Sequence, residues 1–328
     1  MSVLGQSVLS AYNAYNGLAL NLPTGWKVNR GITGWAGIVG GEELFALVLV
    51  PTSGGSTAIV AIRGTQSVAD WIEDLYSILP TPFTPFPGGV TPLPTPQVGD
   101  GFLSVYADIG GNRSGKSMQQ QLFDTLNSLP ALTQLIVTGH SLGSALAELF
   151  MFDYALQRAA GKYAKQSAFM VNYAAPCCGD ATWVQQYASF TQGLFSGPWP
   201  QTTRIVNQDD VVPYLPPNLE QPAVEFDVRF RRNTIFWEPF VGNQHAMVNY
   251  NLVINKALPL PGQTWTGYFT EPGTTVSMVS LSPNSSIASV RRERLNQLTK
   301  AHRDDLDSVK TERNPNAVVH ELHTGTPV

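Results

Sequence analysis

Cysteine is nearly missing from this chain: the only two, Cys177 and Cys178, are neighbours. Adjacent cysteines join only through a strained ring, so no disulfide staples a loop here. The five histidines are scattered, which leaves no metal-ligand spacing, and neither metal nor cofactor is expected. Charge is scarce as well, with 13% charged residues and a net charge of −4 over 328 residues. That balance gives no basic footprint for nucleic acid. No apolar run reaches the roughly eighteen residues that a membrane-spanning helix needs. The N-terminal stretch "MSVLGQSVLSAYNAYNGLAL" lacks a basic start, a continuous apolar core and a small-residue cleavage site, so it does not read as a secretory signal. The protein is expected to stay in the cytoplasm, or to be exported with a leader outside this sequence. No internal repeat is visible.

What the chain does contain is alternation. From Gly34 to Arg63, apolar runs broken by Gly-Gly and Ser-Gly-Gly predict strands near 34–39, 44–50 and 57–63. Ser67 and Asp70 then form a capping-box pattern at a helix start. The segment from Pro80 to Pro96 is too rich in proline for a helix or a central strand. Beyond it the pattern predicts helices near 103–108 and 114–128, strand 134–139, helix 142–159, strand 166–173, helix 180–192 and strand 203–207. A hairpin at 224–237 and a helix from about 246 to 256 follow. Strands alternating with helices imply an α/β fold, a mostly parallel central sheet with helices on both faces.

One of these strand-to-helix junctions is chemically loaded. In "LIVTGHSLGSALAELF" the strand breaks at Gly139-His140-Ser141-Leu142-Gly143, a G-x-S-x-G sequence, before the helix resumes. A serine on so sharp a turn projects from the sheet with its hydroxyl near a positive helix N-terminus, which favours developing negative charge. A serine hydroxyl needs a base. His140 is on the same turn and points elsewhere, and His302, His320 and His323 lie in a polar tail, which leaves His245 in "VGNQHAMVNY". The chain order Ser, Asp, His is that of α/β hydrolases. The intervening acid is supplied by "IVNQDDVVPYLP", where Asp210 is preferred to Asp209 and Asp180 is the reserve. A tetrahedral intermediate also needs an oxyanion hole. The backbone N–H of Leu142 is one donor, and Thr65, after the strand "AIVAIRG", is the other.

Taken together, "AIRGTQSVADWIEDL", "GDGF", "IVTGHSLGSALAEL", "NYAAPCCGD", "IVNQDDVVPYLP" and "QHAMVNY" resemble the class 3 lipases, which include the filamentous fungal triacylglycerol lipases. The resemblance spans residues 58 to about 256. It implies an α/β hydrolase fold and cleavage of carboxylic esters of acyl chains through an acyl-enzyme. It aligns Ser141, Asp210 and His245 with the family's triad, the acid before Val-Val-Pro supporting Asp210. It implies that the Thr65 hydroxyl also donates to the oxyanion. It sets a mobile lid helix on 67–75, with Asp74 orienting the oxyanion side chain. The family commonly has His two residues before Gly-Phe, where this chain has Gly99. Phospholipase, feruloyl esterase and polyester depolymerase would use the same triad, and a non-catalytic binding protein could share the fold.

On this reading residues 1–282 form a single domain whose lid region covers about 67–97. Phe83 and Phe86, apolar among prolines, are expected at the rim of an acyl-binding cleft, facing a lipid–water interface; an ordered connector packed on the body is the alternative. Residues 283–328 form a charge-dense, partly helical tail, either packed on the body or making a dimer contact.

Overall fold

The computed structural model describes residues 2–36, 41–65, 74–129, 131–197, 200–222, 224–230, 244–253 and 275–279, and the single residues 296 and 300. Helix α1 (Ser2–Tyr15) comes first, followed by strands β1 (Trp26–Trp35), β2 (Glu42–Pro51) and β3 (Thr57–Ile62). Two short strands, β4 (Pro80–Pro82) and β5 (Gln97–Gly99), pair with each other outside the main sheet. Then follow α2 (Asp100–Ala107), α3 (Met118–Asn127), β6 (Gln134–His140), α4 (Leu142–Ala159), β7 (Ser167–Tyr173), α5 (Ala181–Thr191) and β8 (Thr202–Asn207). A 3₁₀ turn at Val212–Tyr214 comes next, and after it strand β9 (Val224–Arg229), helix α6 (Met247–Val253) and strand β10 (Thr275–Val279).

The eight main strands run in the order β1-β2-β3-β6-β7-β8-β9-β10. From β3 to β9 every neighbouring pair is parallel; β1, β2 and β10 add on antiparallel. Side chains alternate between the faces of a strand, and β3 shows what each face meets. Ala58, Val60 and Ile62 enter a core with Leu146, Phe150 and Trp183, while Ile59 and Ala61 enter a second core with Val8, Ala11 and Tyr250. A strand buried on both faces must be apolar throughout, which explains the unbroken run Ala58–Ile62. Helices α4 and α5 contribute to the first core, α1 and α6 to the second.

The structure revises several expectations. Strand β1 covers Trp26–Trp35, beginning well before the expected 34–39, of which residues 37–39 lie outside the described residues, and helix α1 carries Leu4, Val8 and Ala11 into the core on helical spacing. The capping box observed is that of α3, where Ser117 and Gln120 exchange side-chain to backbone bonds; the pattern at Ser67 lies outside the described residues, as do residues 67–73 of the expected lid helix and nearly all of the tail with its three histidines. Strand β9 is parallel to β8 and antiparallel to the distant β10; the second half of the predicted 224–237 hairpin lies outside the described residues.

The proline-rich segment is anchored to the body. Phe83 is 3% exposed against Phe152, and Phe86 stacks on Phe123 at 4.3 Å. The Phe86 N–H donates to Asp153 Oδ1 at 2.7 Å, the Phe86 carbonyl accepts from Gln157 at 2.7 Å, and Val90 N–H reaches the Leu156 carbonyl at 3.1 Å. A chain without many N–H groups of its own is fastened by side chains of α4, so Phe83 and Phe86 do not form an exposed cleft rim.

Candidate active site

Sheet register assembles the site. Ile62 of β3 pairs with Gly139 of β6, so two residues further along each strand Gly64 comes beside Ser141. The contact is close: a Cβ on Gly64 would lie 2.6 Å from Ser141 Cβ. On the other side His140 pairs with Tyr173 of β7, and β8 ends at Asn207, three residues before Asp210. Thr65, Ser141 and Asp210 therefore leave the carboxyl ends of β3, β6 and β8, the edge where open α/β sheets gather their ligands.

Ser141 occupies a sharp turn with φ 58° and ψ −132°, a strained conformation for a residue with a Cβ. The flanking glycines have a steric reason. A Cβ on Gly139 would fall 2.3 Å from the Gly143 carbonyl oxygen, and one on Gly143 would fall 2.4 Å from the carbonyl oxygens of Ile62 and Arg63. Strand β6, helix α4 and the end of β3 can approach this closely only without side chains there. Ser141 is 1% exposed, its N–H donates to the Tyr173 carbonyl at 3.1 Å, and Leu142 opens helix α4. The N–H of Leu142 belongs to a first turn whose donors have no acceptor within the helix. The Ser141 hydroxyl makes no hydrogen bond among the described residues, and in hydrolases that contact often tightens only around substrate.

Asp210 and His245 are in direct contact. His245 Nδ1 lies 2.8 Å from Asp210 Oδ2, with both side chains fully buried. The same oxygen accepts from the Tyr250 hydroxyl at 2.9 Å, while Oδ1 accepts from Val212 N–H at 3.0 Å. Three donors converge on one carboxylate, which fixes its orientation toward His245. Burial first, and then Asp210, push the Tyr250 hydroxyl well above its ordinary range, so it remains a donor. Tyr250 was not singled out from sequence, although its spacing from His245 carries both onto the same short segment.

The other named residues separate. Asp209 turns its N–H to Asn207 Oδ1, and the carboxylate at His245 Nδ1 is that of Asp210. Asp180 is the N-cap of α5, accepting from Trp183 N–H at 2.7 Å and Gln97 N–H at 3.2 Å. Asp74, expected beside the oxyanion side chain, has an exposed carboxylate that bonds to nothing among the described residues, Thr65 included. The Thr65 hydroxyl is itself buried, with no hydrogen-bond partner among the described residues. A buried, unsatisfied hydroxyl carries a desolvation cost that an incoming acceptor relieves. Among the described residues no His, Cys, Asp and Glu cluster could hold a metal ion.

His140 takes a part that the sequence did not suggest. Its ring sits 4.6 Å from that of His245, its Nε2 is 2.7 Å from the His245 carbonyl oxygen, and its Nδ1 is 2.8 Å from the Tyr12 hydroxyl. Burial, and then the charge that His245 can carry, hold the His140 imidazole well below its ordinary range, so it stays neutral.

Residues 59–220 match the family described as Lipase (class 3). A protein named phospholipase A1-II 7, from Oryza sativa subsp. indica, is 29% identical over 213 residues, covering 60% of this chain and 48% of its own length. A lipase of Rhizomucor miehei is 30% identical over 161 residues, covering 49% of this chain and 38% of that protein. The solved Rhizomucor miehei lipase propeptide complex has a similar fold, with a TM-score of 0.50 at 23% identity over 70% of this chain and 67% of that one. The chain spans about half or less of the curated relatives it matches.

Proposed function

The chain belongs to the class 3 lipase family through residues 59–220, and on that premise we propose that it hydrolyses carboxylic esters of acyl chains, with Ser141, His245 and Asp210 as a catalytic triad. The observation that carries the reading is the buried 2.8 Å contact of Asp210 with His245 Nδ1 beside a serine at φ 58°. With Nδ1–H given to Asp210, His245 Nε2 is left as the basic nitrogen. It takes the proton as Ser141 Oγ adds to the ester carbonyl carbon. The resulting oxyanion is held by the N–H of Leu142, and by the N–H and hydroxyl of Thr65. His245 then protonates the departing alcohol, and water cleaves the acyl-enzyme by the same steps in reverse order. The names of the relatives, lipase and phospholipase A1, support acylglycerols and phospholipids as the first substrates to try, presented at a lipid–water interface.

Ser141→Ala should lower kcat on a p-nitrophenyl ester by roughly 10⁶ if the triad acts as a unit. It should also abolish covalent labelling by an alkyl phosphonate while the circular dichroism stays unchanged. Substantial turnover in a clean Ser141→Ala preparation would exclude the nucleophile, and a wild-type protein that neither labels nor hydrolyses would point to a binding protein on the same fold.

A further inference from the structure

Helix α1 reaches the site through one side chain. The Tyr12 hydroxyl accepts from the Gly64 N–H at 2.9 Å and lies 2.8 Å from His140 Nδ1, while His140 Nε2 lies 2.7 Å from the His245 carbonyl. Elementary donor and acceptor chemistry fixes the direction of this chain of bonds. A backbone carbonyl only accepts, so His140 Nε2 carries the proton. The neutral ring then accepts at Nδ1, so the Tyr12 hydroxyl donates there, and its oxygen is free to accept from Gly64, which only donates. One hydroxyl thereby ties the residue before Thr65, the residue before Ser141 and the main chain of His245. Gly64 is held on its other side too, its carbonyl accepting from Arg63 Nη1 at 2.7 Å.

We propose that Tyr12 is a positioning residue for the ester hydrolysis proposed above, holding the Gly64–Thr65 oxyanion donors and, through His140, the His245 segment in mutual register. The inference rests on that reading of the triad. Tyr12 itself touches no reacting atom. Its effect is geometric: oxyanion donors stabilise a transition state only when they are aimed before the reaction begins.

The test is a double-mutant cycle on a short soluble p-nitrophenyl ester, with Ser141→Ala in the same assay. Tyr12→Phe keeps the ring and removes the hydroxyl, and should lower kcat on the order of 10- to 100-fold with KM within about twofold, because a misaimed donor costs the transition state more than bound substrate. His140→Phe should do the same. The double variant should lose clearly less than the product of the single losses, since both remove one connected network. Phosphonate titration of Ser141 counts the folded, competent fraction in each case. Should Tyr12→Phe fail to fold, His140→Phe carries the test by its KM-against-kcat split. A kcat within about twofold of wild type in either folded variant, or losses that simply multiply, overturns the inference. An inactive Ser141→Ala beside an unaffected Tyr12→Phe rejects Tyr12 alone, whereas an active Ser141→Ala rejects the triad beneath it.

Discussion

Asp210 receives three donors, from Val212, His245 and Tyr250, whereas Asp209, also buried, directs its backbone N–H at Asn207. Asp210→Asn places an amide against His245 Nδ1 and favours the wrong imidazole tautomer, so kcat should fall by something like 10⁴ with the fold intact. Asp209→Asn should be far milder. Steady-state kinetics on both variants decide the assignment, and a crippling effect confined to Asp209→Asn would reverse it. The residue scale also separates two kinds of acid that look alike in sequence. The Asp180 carboxylate accepts, among the described residues, from backbone N–H groups at a helix start and between segments, a structural task that needs no nearby histidine.

Among the elements, the segment from β4 to β5 shows how proline shapes a connector. Proline cannot supply ladder N–H groups, so Pro80 and Pro82 stand in a short two-stranded ribbon away from the main sheet. Its aromatic residues turn inward, Phe83 onto Phe152 and Phe86 onto Phe123. Phe83→Ser should therefore destabilise the protein by about 3–5 kcal/mol, as removal of a buried aromatic ring does. Urea denaturation measures that loss. Activity per folded molecule should stay in the same ratio between emulsified long-chain esters and short soluble ones, and a selective loss on emulsions with unchanged stability would restore Phe83 to a lipid-facing role. Leu93, 79% exposed, is the apolar residue of this segment that does face solvent.

For the molecule as a whole, two buried acids make stability depend on pH. Glu148 on α4 is fully buried; burial raises its carboxyl from 4.5 to about 8, against the opposing influences of Arg204 and a hydrogen bond from Asn172. Asp153, pinning the proline-rich segment, is raised by burial to about 7. The folded chain keeps the Glu148 proton up to about pH 8, while the unfolded chain releases it near 4.5. Stability is therefore fully present below the unfolded value, falls as pH rises between these limits, and levels off above them. Glu148→Gln carries a neutral amide at every pH and loses that dependence. Its Tm should gain on wild type steadily from about pH 5 to pH 8, Asp153 being common to both proteins, and parallel curves would show Glu148 ionised in the fold throughout.

How much of this could be read beforehand differs from element to element. Ser141 with its two glycines was legible because a strand-to-helix turn this tight leaves only small residues at Gly139 and Gly143, a constraint written within five consecutive positions. The parallel sheet was legible because strands covered on both faces must be continuously apolar, as Ala58–Ile62 are. Helix α1 carried its signal too, in the spacing of Leu4, Val8 and Ala11, yet nothing local to it points toward Tyr12. That Tyr12 meets His140, 128 positions away, and that Tyr250 meets Asp210, 40 positions away, follows from which helices pack against which strands. Sequence by itself therefore determined the α/β class, the serine turn and the small set of partners Ser141 could have. Only the tertiary structure decided between Asp209, Asp210 and Asp180 as the acid that meets His245, turned Phe83 and Phe86 inward, and joined α1 to the site, because hydrogen bonds between distant segments depend on sheet register and helix packing that no short stretch of chain encodes.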